Sequence, residues 1–518
     1  MISFKLFFSA LFISIPGFIA GCSAQDSGLS ASGSLPTHKQ VSGLDQQILH
    51  SKSLLLVGLE PYLGRGTTFA KSAQPLRLKS AGKPLLLKDA NGLAHKSSEI
   101  TIAWREVPLS HSLKLGRQVV GPFASFESAQ RMALSLRNMG IPVQIAHPKD
   151  WELWLPQGVK VPKGLKFVAW NKTVNSEIKA VLKGLTGELL LSGPIKIEAP
   201  DGLQLNNGVF WGPFWLKADS YGSWTLIEEV PLERYLLGVV PYEIGSGAPK
   251  AALAAQAVLA RTWALANSHR FSIDGYHLCS DTQCQVYKDP RRASERVRNA
   301  ISNTSGKYLT WKKKPIHAVY HASNGGVMAS GNEAWSMTPL PYLKAQLDGS
   351  RTWTDRFDIP LKTSSGLKEL LQEVEGAYGN SHSRFRWTRT FKAEDLKNLL
   401  LSFKNAKALP SHVRVLERGD SGRVIALEIV SEENQLQRVL RLDQIRRVLG
   451  NLPSTLFVVN ESKPGTWQFS GGGFGHGAGL SQAGAIDLAT RGWKTSKILS
   501  HYYPGTTYGT LQDLPKAP

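Results

Sequence analysis

The apolar positions of this chain change period several times, and each change marks a new element. Residues 51–112 carry short apolar runs, "LLLVGL", "PLLLKDANGL" and "EITIAWREV", cut by Gly, Pro and Asn-Gly, which predicts a small β-rich module. In 115–156 a strand ending in Gly-Pro-Phe leads to Ala129, Met132, Ala133, Leu136 and Met139 at helical spacing. A second strand, "IPVQIA", follows Gly140, so this stretch is a βαβ-like unit. Residues 185–230 return to strands in "GELLLSG", "PIKIEAP" and "GSWTLIEEV". The next segment is helical: Pro231 stands at a helix start, Gly245 and Gly247 interrupt it, and an alanine-rich helix runs from Pro249 to Ala266. The pattern predicts a multidomain α+β chain, with a mixed β-rich and helical main region behind a small α+β module.

Its 518 residues exceed one ordinary core. Hydrophobic content of 42% with 19% charged residues describes a globular chain. Lys and Arg outnumber Asp and Glu by 61 to 40, a net charge of +21 that favours an anionic partner: nucleic acid, a membrane surface or an acidic polymer such as cell wall. The first residues choose among these. "MISFKLFFSALFISIPGFIAGCSA" places Lys5 before an apolar run, Leu6 to Ala20, shorter than the ~20 residues a membrane span needs but suited to a signal-peptide core. It ends in "IAGC", which resembles the lipobox of bacterial lipoproteins; there Cys22 becomes the lipidated N-terminus, the alternative being an ordinary secretory signal. Both readings export the protein, which argues against nucleic acid. Residues 1–22 are therefore expected to be a lipoprotein-type signal, and 23–50, rich in Ser, Gly and Gln, a flexible tether.

With Cys22 in the signal, Cys279 and Cys284 remain as a pair in "YHLCSDTQCQVY". In an exported protein they form either a disulfide or half of a metal site, with His277 the nearest third ligand and zinc the candidate ion. The glycine-rich stretch "SGGGFGHGAGLSQAGA" at 470–485 is a separate question. It has neither the dinucleotide fingerprint nor a Walker lysine, and Gly479-Leu-Ser481-Gln-Ala483 only half matches a nucleophile elbow.

Four blocks in order carry a family resemblance: "PLERYLLGVVPYEI…KAALAAQAVLARTWAL", "CQVYKDP", "AVYHASNGGVMASGNEAW" with "PYLKAQLD", and "GFGHGAGLSQAGAIDLATRGWKTSKILSHYYPGT". Over 185–510 the chain resembles the stage II sporulation protein D family, also called amidase enhancers. The segment 113–160 resembles a SPOR domain, a module that binds peptide-free glycan strands. The resemblance implies a lytic transglycosylase that cuts the MurNAc–GlcNAc bond of peptidoglycan and leaves a 1,6-anhydro product. One carboxyl group suffices for that chemistry, because the substrate's own hydroxyl replaces water as nucleophile. The family's essential Glu falls on Glu243 in "VVPYEIG", whose apolar neighbours are expected to raise its pKa.

Tyr320, Ser323, Asn324 and Gly325, with Gly475, His476, Ser481 and Gln482 of the glycine-rich loop, are the expected substrate-binding residues, His476 being either a sugar contact or a purely structural hydrogen bonder. Two positions depart from the family pattern: Ala254 stands where it writes Lys, and Gln283 replaces the His that precedes the second Cys in zinc-binding members. Peptidoglycan glycan strands, a cell-wall amidase and a membrane reached through the lipid are the expected partners. The alternative classes are a non-catalytic amidase enhancer that binds the wall and a structural envelope lipoprotein.

Overall fold

Leu76–Ser80 shows how the first strands form: Leu76, Leu78 and Ser80 are buried while Arg77 and Lys79 face solvent, the period-two pattern of a strand with one wet face. The computed structural model describes residues 54–65, 73–184, 187–206, 208–400, 409–431 and 436–513. The expected signal at 1–22, with Cys22, and the expected tether at 23–50 lie outside the described residues.

In chain order the first strands are β1 (Leu54–Leu63), β2 (Leu76–Ser80), β3 (Leu85–Lys88), β4 (Ala94–Ser97) and the long β5 (Glu99–Phe123). Helix α1 (Phe126–Asn138) follows, then β6 (Gln144–Ala146), β7 (Trp151–Pro156), β8 (Val168–Gly184) and β9 (Gly187–Leu190). The next five are β10 (Ile195–Glu198), β11 (Leu203–Leu205), β12 (Gly208–Phe210), β13 (Phe214–Ala218) and β14 (Trp224–Pro231). Helices α2 (Leu232–Val240) and α3 (Lys250–Asn267), the short β15 (Leu278–Cys279), α4 (Glu295–Asn303) and β16 (Lys307–Trp311) complete this half.

Two sheets dominate it. One has seven strands in the order β15-β1-β14-β13-β10-β3-β4; the other runs β12-β11-β2-β5-β7-β6, with β8 and β9 added beside β5. Residues 51–112, which read as a small module in sequence, contribute strands to both: β1 pairs with β14 (Val57 opposite Glu228) and β2 pairs with β5 and β11. Each of these strands buries one face and finds its partner far along the chain. The segment 113–160 folds as strand, helix and two further strands. Ala129, Ala133 and Leu136 are buried as the helical spacing predicts, while Met132 is half-buried and Met139 is exposed. Its core is shared, because Phe126, Ala129 and Trp151 cluster with Ile227, Phe271 and Tyr276.

Helix α3 runs through the largest core. Almost every side is buried, and alanines at 252, 255, 257, 260 and 264 let neighbours approach. The charged pair inside this core is bidentate: Arg261 Nε and Nη2 donate to Glu233 at 2.7 and 2.6 Å, and Arg261 Nη1 donates to the Lys307 carbonyl at 2.8 Å. Thr262 donates to the Val258 carbonyl and accepts the Leu309 N–H. The "ARTW" motif is thus scaffold. Two further clusters organise the C-terminal half, one around Leu427, Phe457 and Phe469 and one around Trp353, Leu370 and Phe385. The α+β expectation holds. Among the described residues no helix is long and apolar enough to cross a membrane.

Candidate active site

Where α2 ends, the chain tightens into a π-helical turn, Pro241–Gly245. Such turns are rare and recur at functional sites. It carries Glu243, half-buried, whose Oε1 accepts the Val286 N–H at 2.9 Å. Burial pushes the carboxyl up to about 7, against the opposing effect of the Val286 N–H and the Tyr320 hydroxyl.

That hydroxyl is itself positioned. The buried Gln285 accepts at Oε1 from Tyr235 Oη (3.2 Å) and donates from Nε2 to Tyr320 Oη (2.9 Å). Because Tyr235 occupies the amide oxygen, the amide nitrogen faces Tyr320, and the Tyr320 proton is left to point at Glu243. The sequence reading missed Gln285, although "CQVYKDP" contained it.

Glu243 and Tyr320 line a cleft of ≈ 430 Å³ together with Gln285, Val286, Trp263, Trp335 and His476. Its other wall is electrostatic. Glu127, in the first turn of α1, is ion-paired with Arg270, whose guanidinium also lies over the rings of Phe126 (4.4 Å) and Trp263 (4.8 Å). Arg270 and His317 hold the Glu127 carboxyl below the usual range despite its burial, so it is a fixed anion. Asp443, Arg446 and Arg447 close the same side, and Arg447 donates to the Ala124 carbonyl. None of these charged residues carried a recognisable signal, since three distant segments supply them.

The glycine-rich loop reaches the cleft through one pairing. Tyr320–His321 runs parallel to Leu480–Ser481, which lays 470–485 along "YHASNGG". Gly325 (φ +73°) and Gly475 (φ +114°) occupy backbone that L side chains rarely adopt, and a Cβ would come within 2.7 Å of the Gly472 carbonyl carbon and of His321 Cβ respectively. Gly325 serves backbone-on-backbone packing, and Gly475 leaves room for the His321 side chain.

Most other expected sugar contacts belong to that scaffold. Ser323 is buried and exchanges backbone hydrogen bonds with Phe474 (3.1 and 2.7 Å). Asn324, fully buried, donates to Asp348 at 2.6 Å and accepts the Gly326 N–H at 2.9 Å. Ser481 caps a helix by accepting the Gly484 N–H, and Gln482 faces Gln256. With their polar atoms committed inside the protein, Ser323, Asn324, Ser481 and Gln482 do not line the cleft. His476 does, with both nitrogens engaged: Nδ1 accepts the Ala478 N–H (3.2 Å) and Nε2 donates to the Tyr320 carbonyl (2.8 Å). Burial drives its pKa down to about 3, which keeps it neutral. Its bonding is the structural alternative, and it holds the Tyr320 backbone.

Cys279 and Cys284 are joined in a disulfide. His277 Nδ1 accepts the Leu56 N–H at 3.1 Å. Arranged this way His277, Cys279 and Cys284 do not make a zinc site, because neither sulfur is a free thiolate. Among the described residues no cluster of three or more His, Cys, Asp or Glu side chains is placed to hold an ion. What the disulfide does is close the loop that delivers Gln285 and Val286 to Glu243. Ala254 lies away from the cleft, while Gln283 lines it and accepts from Trp151 Nε1 at 3.3 Å.

Residues 220–311, which hold Glu243 and the disulfide loop, match the family described as stage II sporulation protein, and 329–479 match a domain of unknown function, DUF8618. The chain is 28% identical over 295 residues to stage II sporulation protein D of Bacillus amyloliquefaciens, covering 54% of this chain and 74% of the relative. It is 27% identical to the protein of the same name from Bacillus subtilis (strain 168), covering 54% and 75%. It is 28% identical to the amidase enhancer of Bacillus subtilis (strain 168), of whose length only 40% is matched. The four sequence blocks thus fold around one cleft, and over them the chain is similar to stage II sporulation protein D and to the amidase enhancer, with the stage II sporulation protein domain at 220–311.

Proposed function

We propose that the protein remodels the bacterial cell wall as a lytic transglycosylase acting on peptidoglycan glycan strands. The observation that carries this reading is the half-buried carboxyl of Glu243, held in the cleft by the Val286 N–H and the Tyr320–Gln285–Tyr235 chain, while the other carboxyls of the lining, Glu127 and Asp443, are paired with Arg270 and Arg446. Pushed up to about 7, Glu243 is largely protonated under mildly acidic conditions and donates its proton to the glycosidic oxygen. The C–O bond breaks, the leaving sugar departs with a new hydroxyl, and the carboxylate then takes the proton of the muramic 6-hydroxyl as that oxygen closes the 1,6-anhydro ring. One residue serves as acid and then as base, and no water is consumed.

Glu127 supports this reading by its state. Locked to Arg270 as an anion, it has no proton to give, which leaves the acid role to Glu243. Export and anchoring through Cys22 are part of the same proposal, as is glycan contact by the SPOR-like 113–160, whose helix α1 starts at the cleft wall.

The test is mass spectrometry of products from peptide-free glycan strands. Wild type should release anhydro-muramyl ends, and folded Glu243→Gln should release at least ~10²-fold fewer. Equal turnover by the Gln variant would sink the mechanism. A second reading, a wall-binding protein that stimulates an amidase, is favoured by the name of one relative. It requires that wild type and Glu243→Gln enhance a purified amidase equally and that neither cuts glycan.

A further inference from the structure

Helix α3 presents a second opening, remote from Glu243. Ala251, Ala254 and Val258 floor a groove of ≈ 1150 Å³ walled by α4, by Lys307, by the segment 492–496 and by Tyr508 and Thr510. No residue lines both this groove and the Glu243 cleft. The floor is low because alanine side chains end at Cβ. The volume exceeds the ~300–1,000 Å³ of ordinary small-molecule pockets, which suits an extended occupant.

Three kinds of group face this space. Trp493 and Tyr508 supply rings; Tyr508 is 45% exposed, and Trp493 is braced by edge contacts with Tyr378 and His501 at 6.0 and 5.8 Å. Asn299 and Asn303 stand one turn apart on α4, hence on one side of it, and both are exposed. Lys250, Lys307 and Lys494 are exposed and make no ion pair among the described residues, while Glu295 is the one acid in the lining.

We propose that this groove is a second glycan site, which holds a carboxylate-bearing aminosugar strand while another part of the same polymer occupies the cleft. Aromatic rings stack on the C–H faces of pyranose rings, amides bond hydroxyl and acetamido groups, and the lysines meet the carboxylates. An apolar peptide would leave those amides and ammonium groups without partners. Holding the strand at a second point raises its effective concentration at Glu243 without adding a contact there. The identity of the polymer rests on the glycan-strand reading above; the groove itself does not depend on the chemistry of Glu243.

The full chain carrying Glu243→Gln, which cannot consume the probe, is titrated calorimetrically with peptide-free glycan strands that retain their muramic carboxylates. Adding Trp493→Ala, or Ala254→Trp to fill the floor, should weaken binding by at least ~10-fold, the lower range of a lost second attachment. Polyglutamate should not compete. If Ala254→Trp fails to fold, Trp493→Ala and Lys494→Ala at the rim decide. Unchanged affinity in these folded variants, or equal competition by polyglutamate, overturns the groove. Separately, a wild-type protein that neither binds nor cuts glycan defeats the functional reading, whereas cutting with unaltered groove variants defeats only the groove.

Discussion

A family motif falls on Glu243, and its burial favours the acid form that the proposed chemistry needs. Its carboxyl is raised to about 7 chiefly by burial, and the acid form is the one that must donate first. Glycan cleavage is therefore expected to fall as pH rises through about 7, as the protonated fraction is lost. Tyr320 lowers that pKa by favouring the carboxylate, so Tyr320→Phe should move the alkaline limb to higher pH. A pH–rate profile of kcat for both proteins checks this, and a limb that moves to lower pH would contradict it. Ser323, Asn324, Ser481 and Gln482 could not be sorted from sequence alone, since a polar side chain beside a glycine looks the same whether it faces a cleft or a neighbouring carbonyl.

Among the elements, the disulfide loop and the α2–α3 pair do most to hold the site. Gln285 and Val286 directly follow Cys284, so opening the Cys279–Cys284 bond frees the residues that anchor Tyr320 and Glu243. Reductant, or Cys284→Ser, is expected to lower cleavage by ~10-fold or more while the protein stays folded. Thiol counting with elemental analysis should find no free thiol and no zinc in native protein; bound zinc with two thiols would refute the disulfide. Beneath the loop, Arg261 and Glu233 are an ion pair with both side chains essentially inaccessible (0% and 2%). Arg261→Met leaves the Glu233 charge buried without its cation, and urea unfolding should report a loss of about 3–5 kcal/mol. The sequence showed an Arg and a Glu on predicted helices, and their separation of 28 positions hid the pairing.

Across the whole molecule, the segment 115–156 is built into the protein's main body. Its hydrophobic cluster includes Ile227, Phe271 and Tyr276, and its helix supplies Glu127 to the cleft wall. Deleting 115–156 is therefore expected to abolish turnover even of short soluble glycans and to lower the melting temperature, because the deletion exposes a shared core. A folded deletion protein that keeps full turnover of short chains would show the segment to be an independent binding module. Residues 51–112 follow the same logic, since β1 pairs with β14 and β15 and β2 pairs with β11 as well as β5, so these strands join sheets built from later parts of the chain.

By itself the sequence determined whatever is local or periodic. Short apolar runs between turn residues predicted strands, helical spacing found α1, alanine-rich composition found α3, Pro231 and Pro249 marked helix starts, and long ordered motifs pointed to the family resemblance and to Glu243. Only the tertiary structure decided which polar groups share a space. Gln285 orients Tyr320 through Tyr235, and Glu127 meets Arg270 across 143 positions, by packing that no spacing rule encodes. The glycine-rich loop shows the division most clearly. Its composition announced a special backbone, but whether that backbone cradled a ligand or crossed another strand depended on what stood opposite, and opposite Gly475 stands His321.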